Sequence, residues 1–416
     1  MILERLTIVP GRRQLEDVRS TNRALLLALA RDLRLTTCPA LAERSGLSRA
    51  TAYVIVDELQ RAGVLVEAGT GKSNGGRRPQ LLRFEPRARF AIGVEMGERD
   101  LHTVLTDLDG TVLHREVIVA QGTTPTPVLD AATQSITRLI KKVPPQHVLG
   151  IGFAAPGLVD VESGTVHTAV GYDWGEVPLA ALLRERTGLP VYVANRSKAA
   201  ALGEFYSGAG VGARLLVYIY VGRGIAAGIV RDGELDTGAN SSAGEIGHIT
   251  IEPSGSLCDC GNHGCLHTLA AGAVLLAQAR AQLREDGGEL LRTRCGGDPE
   301  RLTTVQLAEA ARDGDSIAAP LVRESGRYLG IAAATVINLF NPDRLILGGP
   351  LAAAGPLFVD AVSDEARRRA LAVPFAAVQI CPSALGSDAG AIGAAALILG
   401  RASDLLVNDD VHEAAV

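Results

Sequence analysis

The hydrophobic pattern of the first 88 residues predicts helices separated by a tight turn and followed by a hairpin. An apolar-faced helix covers residues 23–30, and a shorter one covers 39–44. Ser48 then provides a natural N-cap for a third helix, which ends at Gly63. Apolar residues recur along this third helix at helical spacing, namely Ala50, Val54, Val56, Leu59 and Ala62. Two short strands, 64–68 and 80–84, then enclose a basic, Gly-rich segment, which is the pattern of a wing.

From about Phe90 the pattern changes to strands that alternate with helices. Continuous apolar runs such as 148–153 and 215–221 are typical of buried strands. Long helices are predicted over 266–283, 316–340, 357–372 and 389–399. The plan occurs twice along the chain, so we expect two α/β lobes with a ligand cleft between them. The predicted boundaries are a DNA-binding domain at 1–88, a first lobe at 89–195, a second lobe at 196–403 and a mobile tail at 404–416.

The composition is that of a globular protein with an aliphatic core. Of the 416 residues, 47% are hydrophobic and 21% are charged, which excludes wholesale disorder. No stretch is long and apolar enough to cross a bilayer, and the N-terminus lacks the apolar core of a signal peptide. We therefore expect a cytoplasmic protein without a membrane partner. Six cysteines are too few for a disulfide scaffold, so reduced thiols are expected.

The net charge of −5 conceals a strong asymmetry between the two parts of the chain. Residues 1–90 contain 16 Lys+Arg against 9 Asp+Glu, so the excess of negative charge lies in the remainder. Such a basic end favours a polyanionic partner. A helix fits the major groove of DNA, and a basic hairpin can approach phosphates. The candidate base-reading residues are Ser48, Arg49 and Thr51, and the candidate phosphate contacts are Lys72, Arg77 and Arg78. The alternative is a small helical subdomain with a solvated basic loop.

A cluster of cysteines predicts a metal site. Cys258, Cys260 and Cys265 lie within eight residues, and His248 precedes them in a Gly-rich turn. Three thiolates and one imidazole form the tetrahedral set that zinc prefers in a closed structural site. The alternative is that the cysteines are free and buried. His263 could replace His248 by spacing alone, although it lies inside the tight loop, where its reach is poor.

With these motifs the chain resembles the ROK family of repressors, open reading frames and sugar kinases, in particular its transcriptional-repressor branch. The matching segments are the Gly-Arg-Arg-Pro wing at 76–79, then 155–160, 222–228 with the turn at 232–233, 244–248 and the cysteine loop. The resemblance implies an actin-like, RNase H-like fold of two α/β sugar-kinase lobes preceded by a winged helix-turn-helix domain. It also implies a sugar in the interlobe cleft, hydrogen-bonded by Asn195, Glu245 and His248, with zinc organising the nearby loop. Alternatively, Glu245 is an ordinary loop carboxylate and Asn195 a turn residue.

The departures from the family pattern indicate that kinase activity has been lost. Family kinases carry an acidic catalytic base directly after the asparagine, and here that position is Arg196, which cannot accept a proton near neutral pH. In the first phosphate loop Glu98 replaces a glycine, and in the second Arg223 replaces a small hydroxyl residue. His267 stands where a sugar-contacting glutamate is usual. Combined with Arg196, this change makes the pocket more basic, so the effector is expected to be an unusual or acidic sugar, such as a phosphosugar, unless the sugar response has been lost.

These observations predict a transcriptional regulator, most simply a repressor. A homodimer or homotetramer would bind a double-stranded DNA operator and sense a carbohydrate effector in the cleft, with Zn as the only cofactor. One alternative is a sugar kinase with a DNA-binding appendage, which would need a base other than Arg196. Another is an interaction protein whose sugar lobes bind a transport protein.

Overall fold

The N-terminal domain consists of three helices and a small antiparallel sheet. The structure, a computed structural model, describes residues 14–71, 78–120, 124–169, 171–285 and 287–406. The elements of the domain are α1 (Gln14–Leu33), β1 (Leu35–Thr36), α2 (Cys38–Ser45), α3 (Arg49–Arg61), β2 (Leu65–Thr70) and β3 (Gln80–Phe84). β3 lies between β1 and β2 and pairs antiparallel with both. Two of the predicted phosphate contacts, Lys72 and Arg77, lie outside the described residues.

Helix α3 buries only one of its faces. Its first turn is capped by Ser48, whose hydroxyl accepts a hydrogen bond from the amide of Thr51 at 3.1 Å. The buried face consists of Ala52, Ile55, Val56 and Leu59. Ala50 and Val54, which recur at helical spacing in the sequence, lie outside this face, because both are exposed. Helices α1 and α2 pack against α3.

The first lobe is built on a five-stranded sheet. Its elements are β4 (Phe90–Met96), β5 (Asp100–Asp107), β6 (Val112–Val119), α4 (Pro125–Ile140), β7 (Val148–Ala155), β8 (Leu158–Asp160), β9 (Thr165–Thr168), β10 (Gly175–Val177), α5 (Leu179–Thr187) and β11 (Val191–Asn195). The sheet order is β11-β7-β4-β5-β6, in which β4, β5 and β6 are antiparallel and β7 and β11 run parallel to β4. β8, β9 and β10 form a separate small antiparallel sheet.

The second lobe repeats the topology of the first. Its elements are α6 (Arg196–Ser207), β12 (Leu215–Val221), β13 (Ile225–Arg231), β14 (Glu234–Leu235), α7 (Leu266–Ala270), α8 (Gly272–Leu283), α9 (Glu289–Arg294), α10 (Thr304–Arg312), α11 (Ala318–Phe340), β15 (Arg344–Gly348), α12 (Pro356–Arg369), α13 (Ala372–Ala377), β16 (Gln379–Pro382) and α14 (Ala389–Leu399). The sheet order is β14-β13-β12-β15-β16, with three antiparallel strands followed by two parallel ones. The predicted helix over 266–283 is interrupted at Ala271, where the backbone is extended.

Helices α6 and α14 lie between the two sheets, and their backbones approach without intervening side chains. A Cβ atom added to Gly152 of β7 would lie 1.8 Å from a carbonyl oxygen of α14. One added to Gly393 of α14 would lie 1.6 Å from a carbonyl oxygen of α6, and one added to Gly228 of β13 would lie 2.4 Å from another. The order across the molecule is therefore first sheet, α14, α6 and second sheet, in direct backbone contact.

The position of α14 corrects the predicted boundary between the lobes. The sequence-based division assigns 196–403 to the second lobe, whereas α14 packs on β4 and β7 of the first sheet. Nine of its eleven residues are buried. A helix that is apolar on all sides must be covered on all sides, and the contact with α6 alone would leave one face in water.

The N-terminal domain and the first lobe share one hydrophobic core. Buried residues of α1, α2 and α3 form a continuous cluster with residues of β4, β5 and α14. Arg23 of α1 is buried, and its guanidinium donates hydrogen bonds to Glu58 Oε2 and to the carbonyl oxygen of Ser403, each at 3.0 Å. A cavity of about 650 Å³ lies at this junction, lined by α1, by α14 and by Tyr206 and Ser207 at the end of α6. The two units are therefore joined by packing as well as by the chain.

The chain beyond α14 also contributes to this junction. Residues 402–406 are helical, and Leu405 and Leu406 are buried in the shared core. The prediction of a mobile tail from Asp404 onward is therefore wrong for 404–406, because two apolar side chains anchor this turn. Residues 407–416 lie outside the described part of the chain. Among the described residues, no helix combines the length and the apolarity that crossing a bilayer requires.

Candidate functional site

The first turn of α6 lies at the centre of the cleft. β11 ends at Asn195, which caps α6: its Oδ1 accepts hydrogen bonds from the amide of Ser197 at 2.8 Å and from the hydroxyl of Ser197 at 2.6 Å. Its Nδ2 donates to the carbonyl oxygen of Gly157 at 2.6 Å. These bonds fix the amide against the turn that follows β7. Asn195 is therefore held rigidly at the wall of the cleft before any ligand binds.

A cavity of about 310 Å³ opens beside this turn. All four predicted sugar-contacting residues line it, namely Asn195, Glu245, His248 and His267. They come from four different places in the chain: the end of β11, the turn before a short 3-10 helix, that 3-10 helix itself (Ile246–His248), and α7. The fold thus brings the predicted set together in one place.

Glu245 has a buried cationic neighbour that sequence reasoning missed. Lys198 of α6 is 2% exposed, and its ammonium group hydrogen-bonds the carbonyl oxygen of Ser241. Burial raises the pKa of Glu245, while the charges of Lys198 and His248 act in the opposite direction. Burial lowers the pKa of Lys198, and Glu245 and Asp236 oppose that shift. The two groups favour each other's charged forms, so the carboxylate is available to accept hydrogen bonds from hydroxyl groups.

His248 and His267 form a stacked pair at one wall of the cavity. Their ring centroids lie 5.9 Å apart with an interplanar angle of 8°. Burial, and then the proximity of His248, lower the pKa of His267. Near neutral pH the His267 imidazole is therefore uncharged. It offers the cavity a hydrogen-bond donor and acceptor without adding positive charge.

Arg196 is buried between the two lobes. Its Nη1 donates to the carbonyl oxygen of Met96 at 2.9 Å, and its guanidinium lies 4.5 Å from the ring centroid of Tyr220. Met96 ends β4 of the first lobe, and Tyr220 belongs to β12 of the second. Burial lowers the pKa of Arg196, but Tyr220 and Glu95 more than offset this effect, so its pKa is raised. The side chain is a permanent cation that links the lobes.

The Arg196–Tyr220 pair separates the first cavity from a second one. The second cavity, about 580 Å³, is lined by Glu95 and Glu98 and by the ends of β15 and β16. Arg196 and Tyr220 both line the first cavity, and Tyr220 also lines the second. Glu98 accepts a hydrogen bond from the hydroxyl of Thr304 at 2.9 Å and so joins the first lobe to α10. Two carboxylates thus face the place where a phosphate chain would need positive charge.

The predicted metal ligands converge on one point. Cys258 Sγ lies 3.7 Å from His248 Nδ1, and Cys260 Sγ lies 3.7 Å from Cys265 Sγ. All four ligand atoms lie within 4.8 Å of one another. Ligand sulfurs in a tetrahedral zinc site are about 3.8 Å apart when the Zn–S bonds are about 2.3 Å, so this donor set fits zinc. His263 contacts the carbonyl oxygen of Gly255 instead and is not part of the cluster.

The remaining predicted contacts lie on the N-terminal domain. Arg49 and Arg78 are exposed. The hydroxyl groups of Ser48 and Thr51 lie 2.9 Å apart, so both take part in the cap of α3. Sequence reasoning missed the exposed Tyr53, because its helical spacing does not show which face the neighbouring helices cover.

Comparison with known proteins identifies the family. The profile of the ROK family matches residues 91–401, which include both sheets and the cleft. The chain belongs to the ROK family. Over 392 residues it is 32% identical to the xylose repressor of Caldicellulosiruptor bescii. This alignment covers 94% of this chain and 97% of that repressor.

Two solved structures of the ROK family confirm the predicted fold. A ROK family transcriptional regulator, a homolog of the Escherichia coli MLC protein, matches with a TM-score of 0.79 at 29% identity and covers 95% of this chain and 99% of that one. The ROK family glucokinase from Streptomyces griseus in complex with glucose and AMPPNP matches with a TM-score of 0.67 at 32% identity and covers 74% of this chain and 98% of that one. The regulator thus matches nearly the whole chain, whereas the kinase matches a length comparable with that of the two lobes.

Proposed function

We propose that this ROK protein is a sugar-responsive transcriptional repressor without kinase activity. The observation that carries the proposal is the position of Arg196. A sugar hydroxyl can attack a phosphoryl group only where both ligands meet, and the Arg196–Tyr220 pair stands between the two cavities. The guanidinium also cannot take a proton from the sugar. Similarity to repressors along nearly the whole chain supports the same function.

The test for lost catalysis is a coupled ADP assay with ATP and a panel of pentoses and hexoses. No sugar-dependent ADP formation is expected. Stoichiometric phosphorylated sugar, abolished by a Glu245→Gln variant, would establish a kinase and contradict the proposal.

The effector is a neutral monosaccharide bound in the 310 Å³ cavity. Glu245 accepts hydrogen bonds from sugar hydroxyls, Asn195 positions the ring against the turn after β7, and His248 and His267 contact its polar edge. The sequence favoured an acidic sugar. Two arginines, Arg196 and Arg223, line the cavity together with one carboxylate, Glu245, so the charge of the lining does not exclude an acidic sugar. We propose a neutral sugar because the xylose repressor of Caldicellulosiruptor bescii is similar to this chain along nearly its whole length.

Calorimetry with xylose, glucose and glucose 6-phosphate distinguishes these ligand classes. A neutral sugar is expected to bind, and Glu245→Gln is expected to weaken its binding about tenfold or more, since the variant loses a hydrogen bond to a charged acceptor. Glu162→Gln, an exposed carboxylate away from this cavity, is the matched control. Binding of the phosphorylated sugar alone would refute the neutral effector.

Zinc is held by His248, Cys258, Cys260 and Cys265. A bound metal supplies a fixed point for the loop and fixes the tautomer and orientation of His248, whose Nδ1 lies on the cysteine side. We expect one zinc per chain by elemental analysis, lost in Cys258→Ser and in Cys265→Ser. Cys381→Ser, which changes a cysteine remote from the cluster, should retain it. Full metal content in Cys265→Ser would argue against this site.

The N-terminal domain is a winged helix-turn-helix that binds double-stranded DNA. α3 enters the major groove, and Arg49 and Arg78 supply positive charge at its start and on the hairpin. Two copies in a homodimer, or four in a tetramer, would present α3 helices to half-sites about 34 Å apart or a multiple of this distance. A gel shift on the upstream region of its own gene tests this proposal. It fails if no fragment is retarded at moderate salt or if the sugar leaves the retardation unchanged.

A further inference from the structure

The outward face of α3 carries apolar side chains that the fold does not use. Tyr53 and Val54 are 55% and 53% exposed, and Ala50, one turn before Val54, is exposed as well. At 3.6 residues per turn, Ala50 and Val54 lie opposite the buried face of α3, Tyr53 lies beside them, and Arg49 lies at the edge of the exposed surface. Isolated surface hydrophobic residues are common in proteins. Here, however, they are grouped on the first two turns of the helix that follows the tight turn.

The surroundings of this face favour a polyanion as its partner. Arg44 of α2 and Arg49 of α3 are exposed beside it, and residues 1–90 contain 16 Lys+Arg against 9 Asp+Glu. The first turn of α3 is also the positive end of a helix dipole. The hydroxyl of Ser48 is engaged in capping, so recognition of bases falls to the residues that follow it.

The major groove of DNA offers apolar groups that suit such a face. Thymine presents a methyl group there, and small apolar side chains contact it. Ala50 and Val54 are about 6 Å apart along the helix axis. Base pairs in B-DNA rise about 3.4 Å. The two side chains therefore meet bases no more than about two base-pair steps apart.

The geometry points to recognition of thymine. Ala50 and Val54 contact the 5-methyl groups of two thymines in each operator half-site, and Tyr53 extends the apolar surface beside Val54. This inference rests on the proposed function, because it requires α3 in the major groove. Ala50 and Val54 would thus contact bases in addition to the predicted base-reading residues Ser48, Arg49 and Thr51.

The experiment uses the full chain and synthetic duplexes with a random central segment, from which bound sequences are selected. Each thymine of the selected consensus is then replaced singly by deoxyuridine, which lacks only the 5-methyl group. We expect replacement at one or two positions in each half-site to weaken binding about fourfold, the effect of one buried methyl group. Val54→Ala should bind the thymine duplex more weakly and no longer distinguish thymine from deoxyuridine at one of these positions.

Two further variants make the test specific. Arg49→Ala should weaken binding of thymine and deoxyuridine duplexes by equal factors, because it removes a charge and no methyl contact. Val117→Ala changes an exposed valine of β6 in the first lobe and should bind both duplexes like the wild type. Circular dichroism of each variant confirms that the fold is retained.

The possible failures are distinguishable. A consensus in which no deoxyuridine weakens binding, or a Val54→Ala variant that still distinguishes the two bases throughout, overturns the thymine inference and leaves DNA binding in place. If selection from the random duplexes enriches no sequence, both the inference and the proposed function are overturned. Unchanged DNA binding by Val54→Ala, together with a smaller assembly in light scattering, assigns this face to a protein interface and also overturns the inference.

Discussion

At the scale of single residues, Arg196 stands where family kinases carry an acidic base, and it contacts both lobes instead. The side chain is buried and only slightly exposed to solvent. It therefore depends on the carbonyl oxygen of Met96, on the ring of Tyr220 and on nearby carboxylates. Its partners come from the ends of two strands in different lobes. Removal of the guanidinium therefore affects both lobes.

Arg196→Met is expected to lower the free energy of unfolding by about 3 kcal/mol, because it leaves a buried carbonyl group and Glu95 without their cation. Urea titration followed by circular dichroism measures this change. Arg184→Met, at an exposed position of α5, should change stability by no more than about 0.5 kcal/mol. Equal stability of Arg196→Met and wild type would contradict the interlobe role.

Glu95 makes the stability of the protein depend on pH. Burial raises its pKa from 4.5 to about 7, although Arg196 and His102 favour its ionised form. Between pH 4.5 and about pH 7 the native state binds more protons than the unfolded state. The contribution of Glu95 to the free energy of unfolding therefore falls as pH rises. As the pH rises from about 5 to 8, the free energy of unfolding of Glu95→Gln should increase by about 3 kcal/mol relative to that of the wild type.

Urea titrations at several pH values measure this difference. Glu162→Gln, an exposed carboxylate of the first lobe, should follow the pH dependence of the wild type. Parallel curves for Glu95→Gln and wild type would show that Glu95 ionises in the native state as it does in the unfolded chain.

Residue chemistry was predictable where the residue type alone decides it. Arginine cannot act as a base in any surroundings, and three nearby thiols with an imidazole suit zinc wherever the loop lies. The exposure of Val54 and the burial of Lys198 near Glu245 were not predictable. Both depend on which distant element covers the residue, and spacing along one helix does not contain that information.

At the scale of secondary-structure elements, the contacts of α14 and α6 determine how the lobes fit together. Carbonyl oxygens of these helices occupy the space that side chains would fill at Gly152, Gly228 and Gly393. The bounds of α14 were predicted correctly from its apolar run. Its place on the first sheet was not, because a helix that is apolar on all sides carries no sign of which sheet it covers.

Gly393→Ala is expected to reduce the free energy of unfolding by about 3 kcal/mol, because its methyl group would overlap a backbone carbonyl of α6, which cannot rotate away. Gly175→Ala is the matched control, since a Cβ atom there has no neighbour within 4 Å. Chemical denaturation compares the two variants. A Gly393→Ala protein as stable as the control would show that the two helices separate easily.

At the scale of the whole molecule, the N-terminal domain and the first lobe are expected to open together. They share a core, and Arg23 ties α1 both to α3 and to the turn after α14. Arg23→Ala should destabilise this junction by about 3 kcal/mol, because it leaves Glu58 without its buried partner. Hydrogen exchange should accelerate in α1, α3 and β4 and remain unchanged in β12 and β15.

Arg44→Ala, which changes an exposed arginine of the same domain, is the control and should leave exchange in α1 and α3 at its wild-type rate. If Arg23→Ala accelerates exchange equally in all sheets, the junction is not a separate cooperative unit.

The reach of α6 has a geometric consequence. The helix starts at Asn195 beside the 310 Å³ cavity, and its last turn lies at the cavity next to α1. Its 12 residues span about 18 Å. A tilt of about 5° about its first turn therefore displaces Ser207 by about 1.6 Å. Because no compressible layer separates α6 from α14, such a lever arm would convert a small rearrangement beside Asn195 into a displacement next to α1.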